Sequence, residues 1–237
     1  MSISDFSSRI TAYFARHGFS ATVRRAAVFT KRAIFARRMV VFYCDLAKQA
    51  NSPARIPSSM KLERINTLAA LNTQDLHTMT SFWNPPQAHR NILHQFDQGA
   101  CLWLIKSGEE LAGYGWTLQG RTMEPYYFRL GEDDVQLFDF YVFPKFRGRA
   151  LHWVLTIYIL KTLAAEGRAR AFADTAEWND AQLASFKMTP FRRLGMVHTF
   201  ALFGRTYISW AENEPLPQSQ KNTQRPESFP VARPHER

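Results

Sequence analysis

Phe138-Asp-Phe-Tyr-Val-Phe-Pro-Lys-Phe-Arg-Gly-Arg-Ala-Leu-His152 is the stretch from which this chain is best read. It runs as a buried strand, a break, a short basic loop with one glycine, and the start of a helix. The strand, Leu137–Phe143, is rich in aromatic and β-branched residues, which pack well on a pleated, half-buried surface. Pro144 has no N–H to give to a ladder and ends the strand. Gly148 lets the backbone come close to a ligand. A helix opening near Ala150 offers free N–H groups and the positive end of its dipole, and Arg147 and Arg149 add charge that suits phosphate. Strand, basic glycine loop and helix together make a site for a phosphorylated ligand, although many α/β proteins use the same device only to reverse the chain.

Outward from this segment, the pattern stays regular. Upstream, Lys61–Ile65 alternates like a strand. Thr73–Gln98 is helical in character but broken at Asn84-Pro85-Pro86, giving two short helices. Ala100–Lys106 and Ala112–Leu118 form a hairpin around Ser107–Glu110. Downstream, Ala150–Glu166 is a long amphipathic helix closed by Gly167, Arg170–Thr175 a strand, and Asp180–Phe191 a helix interrupted at Pro190. Met196–Phe203 and Arg205–Trp210 form a closing hairpin around Gly204.

The ends differ in composition. Residues 1–59 read as a basic helical arm, with amphipathic helices over 6–18 and 20–37 and one strand at Met39–Cys44. The first 60 residues hold ten Lys/Arg against Asp5 and Asp45, so most of the chain's net charge of +10 sits there. Residues 60–210 form the domain. Residues 211–237, rich in Pro, Gln, Ser and charge, form a disordered tail. Hydrophobic residues make up 46% of the 237, enough for a real core. No apolar run is long enough to cross a bilayer, and no secretory signal opens the chain. Cys44 and Cys101 lie in apolar strands, which suits reduced thiols in a cytoplasmic protein. Neither has neighbours at metal-ligand spacing, so no metal is expected.

The order strand, two helices, three strands, long helix, strand, helix, two strands resembles the GNAT acetyltransferase fold over residues 60–210. Tyr141–His152 resembles that family's V-x-P-x-x-R-G-x-G-x-G signature. Glu177-Trp-Asn179 followed by Arg192-Arg-Leu-Gly-Met196 is similar to its Asn-containing turn and its helix ending in K-L-G-F. The resemblance implies an α/β (α+β) fold: a mixed, mostly antiparallel central sheet flanked by helices. It departs at three places. Ala150 and His152 replace glycines, and Phe191 stands where the family often has a proton-donating tyrosine. A β-carbon at 150 fits if that residue is already helical, whereas His152 could crowd a pyrophosphate.

The resemblance implies acetyl-coenzyme A as donor, with Tyr141, Val142 and Phe143 pairing with its pantetheine arm. Arg147, Gly148, Arg149, Ala150, Leu151 and His152 would hold its pyrophosphate. A backbone N–H of the same strand would steady the oxyanion. The amine acceptor must be neutral to attack a thioester, so a base is required. Asp139, flanked by Phe138 and Phe140, is the first candidate, because an inward carboxylate there loses solvent and becomes more basic; alternation equally allows it to face water. Glu177 is the second, and it can also serve as a helix N-terminal carboxylate. Asn179 either contacts the coenzyme or caps the following helix. Tyr126, Tyr127, His77, His89, His94 and Trp83 are candidates for the acceptor pocket or ordinary structural residues.

The expected activity is N-acyl transfer from coenzyme A to a small-molecule amine, an amino sugar or amino acid derivative in envelope or exopolysaccharide metabolism. The alternative is a non-catalytic domain of the same fold whose arm contacts a membrane surface, a protein partner or nucleic acid. The arm's aromatics fall on one side rather than interleaving with its cations, which favours a peripheral membrane contact over nucleic acid. The expected location is the cytoplasm, peripheral at the inner membrane surface.

Overall fold

The computed structural model describes residues 38–49, 57–81, 84–123, 126–202 and 205–213, with residue 23 alone. The arm helices expected over 6–18 and 20–37, and the tail beyond 213, lie outside the described residues.

The strands are β1 (Arg38–Asp45), β2 (Met60–Ile65), β3 (Cys101–Ser107), β4 (Glu110–Gln119), β5 (Asp134–Val142), β6 (Arg170–Ala176), β7 (Arg192–Leu202) and β8 (Arg205–Asn213). The helices are α1 (Thr73–Ser81), α2 (Pro85–Asp97), α3 (Leu151–Ala165) and α4 (Asp180–Lys187). The strands form one sheet in the order β2-β3-β4-β5-β6-β1-β7-β8. Every neighbouring pair is antiparallel except β5 and β6, which are parallel. The sheet is mixed and mostly antiparallel, as expected.

Local chemistry explains the boundaries. The Asn84 side chain accepts a hydrogen bond from the Gln87 N–H at 3.2 Å, and Pro85 stands in the first turn, where its missing N–H costs nothing. The proline pair therefore splits α1 from α2. In α3, Leu151, Val154, Leu155, Ile159, Leu160 and Leu163 bury one face. Gly167 at φ 77° closes the helix, with the Arg168 N–H donating back to the Leu163 carbonyl at 3.0 Å.

Two features differ from the sequence expectation. The strand at Met39–Cys44 is an interior strand, lying between β6 and β7. The helix ends at Lys187 rather than running to Phe191, and Arg192–Met196 opens β7 instead of closing a helix. Arg192 and Arg193 pair with Tyr43 and Phe42 of β1, a partner nearly 150 residues upstream that local periodicity does not reveal.

The main core lies between α3 and the sheet and continues under α2 on the other face. Trp103 and Trp116 are fully buried within it. The Trp103 indole N–H donates to the Thr117 hydroxyl at 2.8 Å, and Phe96 of α2 packs edge-on against Trp116. A second, smaller cluster gathers Val41, Tyr43, Phe172, Leu194 and Val197 under Tyr126, Tyr127, Phe128 and Trp210. Cys44 and Cys101 are both buried and free, and burial raises the thiol pKa of each, Cys44 to about 12. Among the described residues, no helix is long and apolar enough to cross a membrane.

Candidate active site

β5 and β6 are joined over three residue pairs only, Asp134–Arg170, Val135–Ala171 and Gln136–Phe172. Beyond Gln136, β5 stays paired with β4 as far as Val142, while β6 stays paired with β1. The two halves of the sheet therefore diverge, and the edge of β5 facing β6 has no strand partner. Asp134 guards the joint. Its buried carboxylate takes both the Nε and Nη2 donors of Arg170, at 2.8 and 2.7 Å, and the Gly131 N–H at 2.8 Å. The divergence opens a narrow cleft with about 40 Å³ of free volume. It is walled by Phe138, Asp139 and Phe140 from β5, Asp174 from β6, His152 from α3 and Gln182 from α4.

Asp139 sits on a β-bulge. Tyr114 pairs with Tyr141 and Trp116 with Phe138, so Gly115 alone opposes both Asp139 and Phe140. The extra residue puts Asp139 at a positive φ of 49°, a region that few non-glycine residues adopt and that aspartate tolerates better than most. Gly115 is required here, because a β-carbon on it would come within 2.7 Å of the Phe140 ring. The bulge turns Asp139 toward α2, where the Gln95 side-chain amide donates to its carboxylate at 3.1 Å. Asp139 is exposed to solvent, as the alternation reading allowed. Protein atoms crowded around its inner side nonetheless raise its carboxyl pKa, and the hydrogen bond from Gln95 pulls it the other way.

At the far end of β5, a 3₁₀ turn over Pro144–Phe146 leads into the glycine loop. Gly148 lies at φ 78°, and a β-carbon there would meet nothing within 4 Å, so the loop's outer side is open. Ala150 is left-handed, at φ 55° and ψ 22°, and α3 has no side-chain cap. The expectation that a β-carbon at 150 fits a helical residue is therefore corrected: Ala150 keeps the glycine conformation, at a strain of about 1 kcal/mol. The amide groups of residues 148–153 have no backbone acceptor among the described residues. Such a row of orphan donors at the positive end of a helix suits an anion. Arg147 lies across the Tyr141 ring, its Nε donating to the Val142 carbonyl at 3.2 Å, and Arg149 lies over the Phe146 ring.

His152 turns away from this loop. Its ring nitrogens meet the Ser185 hydroxyl at 2.8 Å and the Gln182 amide at 3.1 Å, both on α4. Burial lowers its pKa to about 4, so the ring is neutral. It borders the cleft beside Phe140 and leaves the anion loop clear. Arg147, Gly148, Arg149, Ala150 and Leu151 therefore surround a loop with room for an anion, whereas His152, expected among the phosphate-binding residues, turns to α4 instead.

Glu177 does not line the cleft. It pairs with Arg38 at 3.5 Å, and its backbone N–H donates to the Arg38 carbonyl. The Asn179 side-chain Oδ1 caps α4, accepting from the Gln182 N–H at 3.3 Å. His77, His89 and His94 are exposed on α1 and α2, and Trp83 lies outside the described residues. Phe191 is buried edge-on against Phe186 at the cleft's base. Asp174 was missed from sequence. It lies across the cleft from Asp139, and the Tyr127 hydroxyl donates to its Oδ2 at 3.1 Å. An acid in the otherwise apolar run Ala171-Phe-Ala-Asp174 was the available signal.

A protein-family model, described as the acetyltransferase (GNAT) family, matches residues 65–189, more than half of the chain. A tandem GNAT protein from the clavulanic acid biosynthesis pathway superposes with a TM-score of 0.52 at 14% identity, over 76% of this chain and 55% of that one. An acetyltransferase of the GNAT family from Novosphingobium aromaticivorans gives 0.44 at 14% identity, over 68% and 61%. A Drosophila protein gives 0.49 at 14% identity, over 68% and 48%. The chain spans about half to three fifths of the length of these solved chains. No curated protein matches the sequence.

Proposed function

Because the chain belongs to the GNAT acetyltransferase family, which uses acetyl-coenzyme A as co-substrate, we propose that it transfers an acetyl group from coenzyme A to the nitrogen of a small-molecule amine. The observation that carries this reading is the continuity of two features on one strand: an unpartnered β5 edge, and the open row of amide donors at the start of α3. An extended pantetheine arm suits the first, and a diphosphate suits the second. The coenzyme supplies an acyl carbon activated as a thioester.

Asp139 supplies the base. A protonated amine in the cleft gives a proton to the Asp139 carboxylate, and the neutral nitrogen then has a lone pair for attack. The raised carboxyl pKa makes Asp139 a better acceptor for that proton than an ordinary aspartate. The nitrogen bonds to the acyl carbon, the C–S bond breaks, and the leaving thiolate takes the proton that the nitrogen loses, through water; Asp139 returns its own proton to solvent, so ammonium and thioester become amide, thiol and a released proton. Phe191 cannot donate a proton to the thiolate, and Glu177, tied to Arg38, is the weaker base candidate. The candidate acceptors are an amino sugar or an amino acid derivative of envelope metabolism, met at a cytoplasmic membrane surface by the basic arm. A second reading, coenzyme binding without turnover, is favoured by buried Phe191 in the tyrosine position.

Calorimetry with acetyl-coenzyme A and a thiol-release assay with an amine panel test both readings. Transfer predicts saturable binding and amine-dependent thiol release. Binding without release for any amine would leave the second reading, and no binding would remove both.

A further inference from the structure

α2 buries three side chains where it meets the sheet: Ala88, Ile92 and Gln95. Two are apolar. The third is an amide, and only 8% of it is exposed. Burying an amide costs free energy unless its polar atoms find partners. Gln95 has found one. Its Nε2 donates to the Asp139 carboxylate at 3.1 Å, while its Oε1 is buried with no hydrogen-bond partner among the described residues. An apolar side chain at 95 would continue the stripe without that cost, so packing alone does not account for the amide.

The fold fixes this pair. The next residue of α2, Phe96, packs edge-on against Trp116, with ring centroids 4.9 Å apart. Trp116 is the β4 partner of Phe138, the residue just before Asp139. The helix is thus registered on the sheet within one residue of the bulge, and the bulge brings Asp139 round to meet it. Among the described residues, Gln95 is the one side chain hydrogen-bonded to that carboxylate. The ionisable groups around Asp139 come from other elements: Tyr114 of β4, His152 of α3 and Asp174 of β6. A change at 95 leaves all three in place, so a comparison of variants reads Gln95 alone.

We propose that Gln95 is the positioning residue of the base, and that its amide serves Asp139 in both protonation states. This rests on the acyl-transfer reading above. A carboxylate can only accept, so it takes the Nε2–H. Once Asp139 has gained the amine's proton, its O–H needs an acceptor. A half-turn of the Gln95 amide about its last torsion puts Oε1 there. The amide oxygen and NH2 are close in size, so the turned group fills the same space. The turn breaks no hydrogen bond at Oε1, which has none among the described residues. A lysine or arginine at 95 would hold the carboxylate charged and weaken it as a base. An apolar residue would leave the carboxylic acid without a partner on this side.

The test uses the full chain with Gln95→Met, which keeps length and bulk without hydrogen bonding, and Gln95→Glu, which keeps the shape and adds a second carboxyl. One readout is the acid limb of kcat/KM against pH, with acetyl-coenzyme A and glucosamine. The other is the Asp139 carboxyl carbon followed by NMR against pH in the free protein, identified by its loss in Asp139→Asn. In Gln95→Met the carboxylate loses its donor, so limb and resonance should both move to higher pH. kcat should fall by about 10-fold, and the calorimetric Kd for acetyl-coenzyme A should not change. Gln95→Glu should move both midpoints further the same way, because two adjacent carboxyl groups resist losing their second proton. A side chain that merely fills space would move neither. Midpoints unchanged in both folded variants overturn the proposal while leaving acyl transfer standing, and the NMR titration decides this whether or not glucosamine is acetylated. A wild-type protein that neither binds acetyl-coenzyme A nor releases thiol would instead remove the reading on which the proposal rests.

Discussion

The two ends of one strand carry opposite chemistry. Where β5 runs out, the backbone presents amides with no backbone acceptor among the described residues, with Arg147 and Arg149 over the Tyr141 and Phe146 rings. A few residues earlier, at the bulge, Asp139 faces Asp174 across the gap. Neutral His152 lies between them, bound to α4. On the reading proposed above, one splayed strand would receive the coenzyme's diphosphate at its end and the acceptor amine at its bulge. It also implies that the two sites can be damaged separately.

The largest expected effect is on the acidic side. Asp139→Asn keeps the shape and the Gln95 contact but removes the base, and kcat should fall by about 10² to 10⁴. The Kd for acetyl-coenzyme A should stay where it was. A matching loss of coenzyme affinity would break the separation, and wild-type turnover would remove Asp139 as the base.

The divider comes next. An unfolded histidine titrates near 6.5, and folded His152 is pushed down to about 4 by burial. Between those values the unfolded chain binds a proton that the folded chain refuses. The contribution is therefore complete above pH 6.5 and is lost as pH falls toward 4, on the order of 3 kcal/mol in all. Asp139, with its raised pKa, works in the opposite direction and offsets part of this. Urea unfolding at pH 7, 5.5 and 4.5, compared between wild type and His152→Gln, isolates the histidine. Equal slopes in the two proteins would show that the ring is not held neutral.

The smallest effect is on the basic side. Arg147→Glu reverses one charge beside the anion loop and removes the donor to the Val142 carbonyl. Coenzyme affinity should drop by about tenfold or more, with the amine KM unmoved. An unchanged calorimetric Kd would show that the loop does not grip the diphosphate.

Strand, loop and helix were legible around Pro144 and Gly148 because each of those residues acts on its own neighbours. The split between α1 and α2 at Asn84-Pro85 was legible for the same reason. Asp139 was legible as a candidate, but its direction was not. The bulge depends on Gly115 of the adjacent strand, and no alternation rule on β5 alone contains it. Glu177 and Asn179 were correctly placed beyond β6, yet the contacts recorded for them, to Arg38 and to the first turn of α4, are ones that spacing could not choose among. Asp174 and Tyr127 were invisible as a pair because 47 residues separate them and only the fold brings them together.

The buried position of β1 has a consequence for the order in which the chain can assemble. β2 to β5 pair with sequence neighbours and can zip as they leave the ribosome. The strand 38–45 must wait for 170–176 and 192–198 before either of its edges is satisfied. Until then a valine- and phenylalanine-bearing segment made early stays uncovered, so closure of this half is a late, slow event governed by long-range contacts. Newly made chains are most prone to stick to one another in that interval, and a holding chaperone would act there.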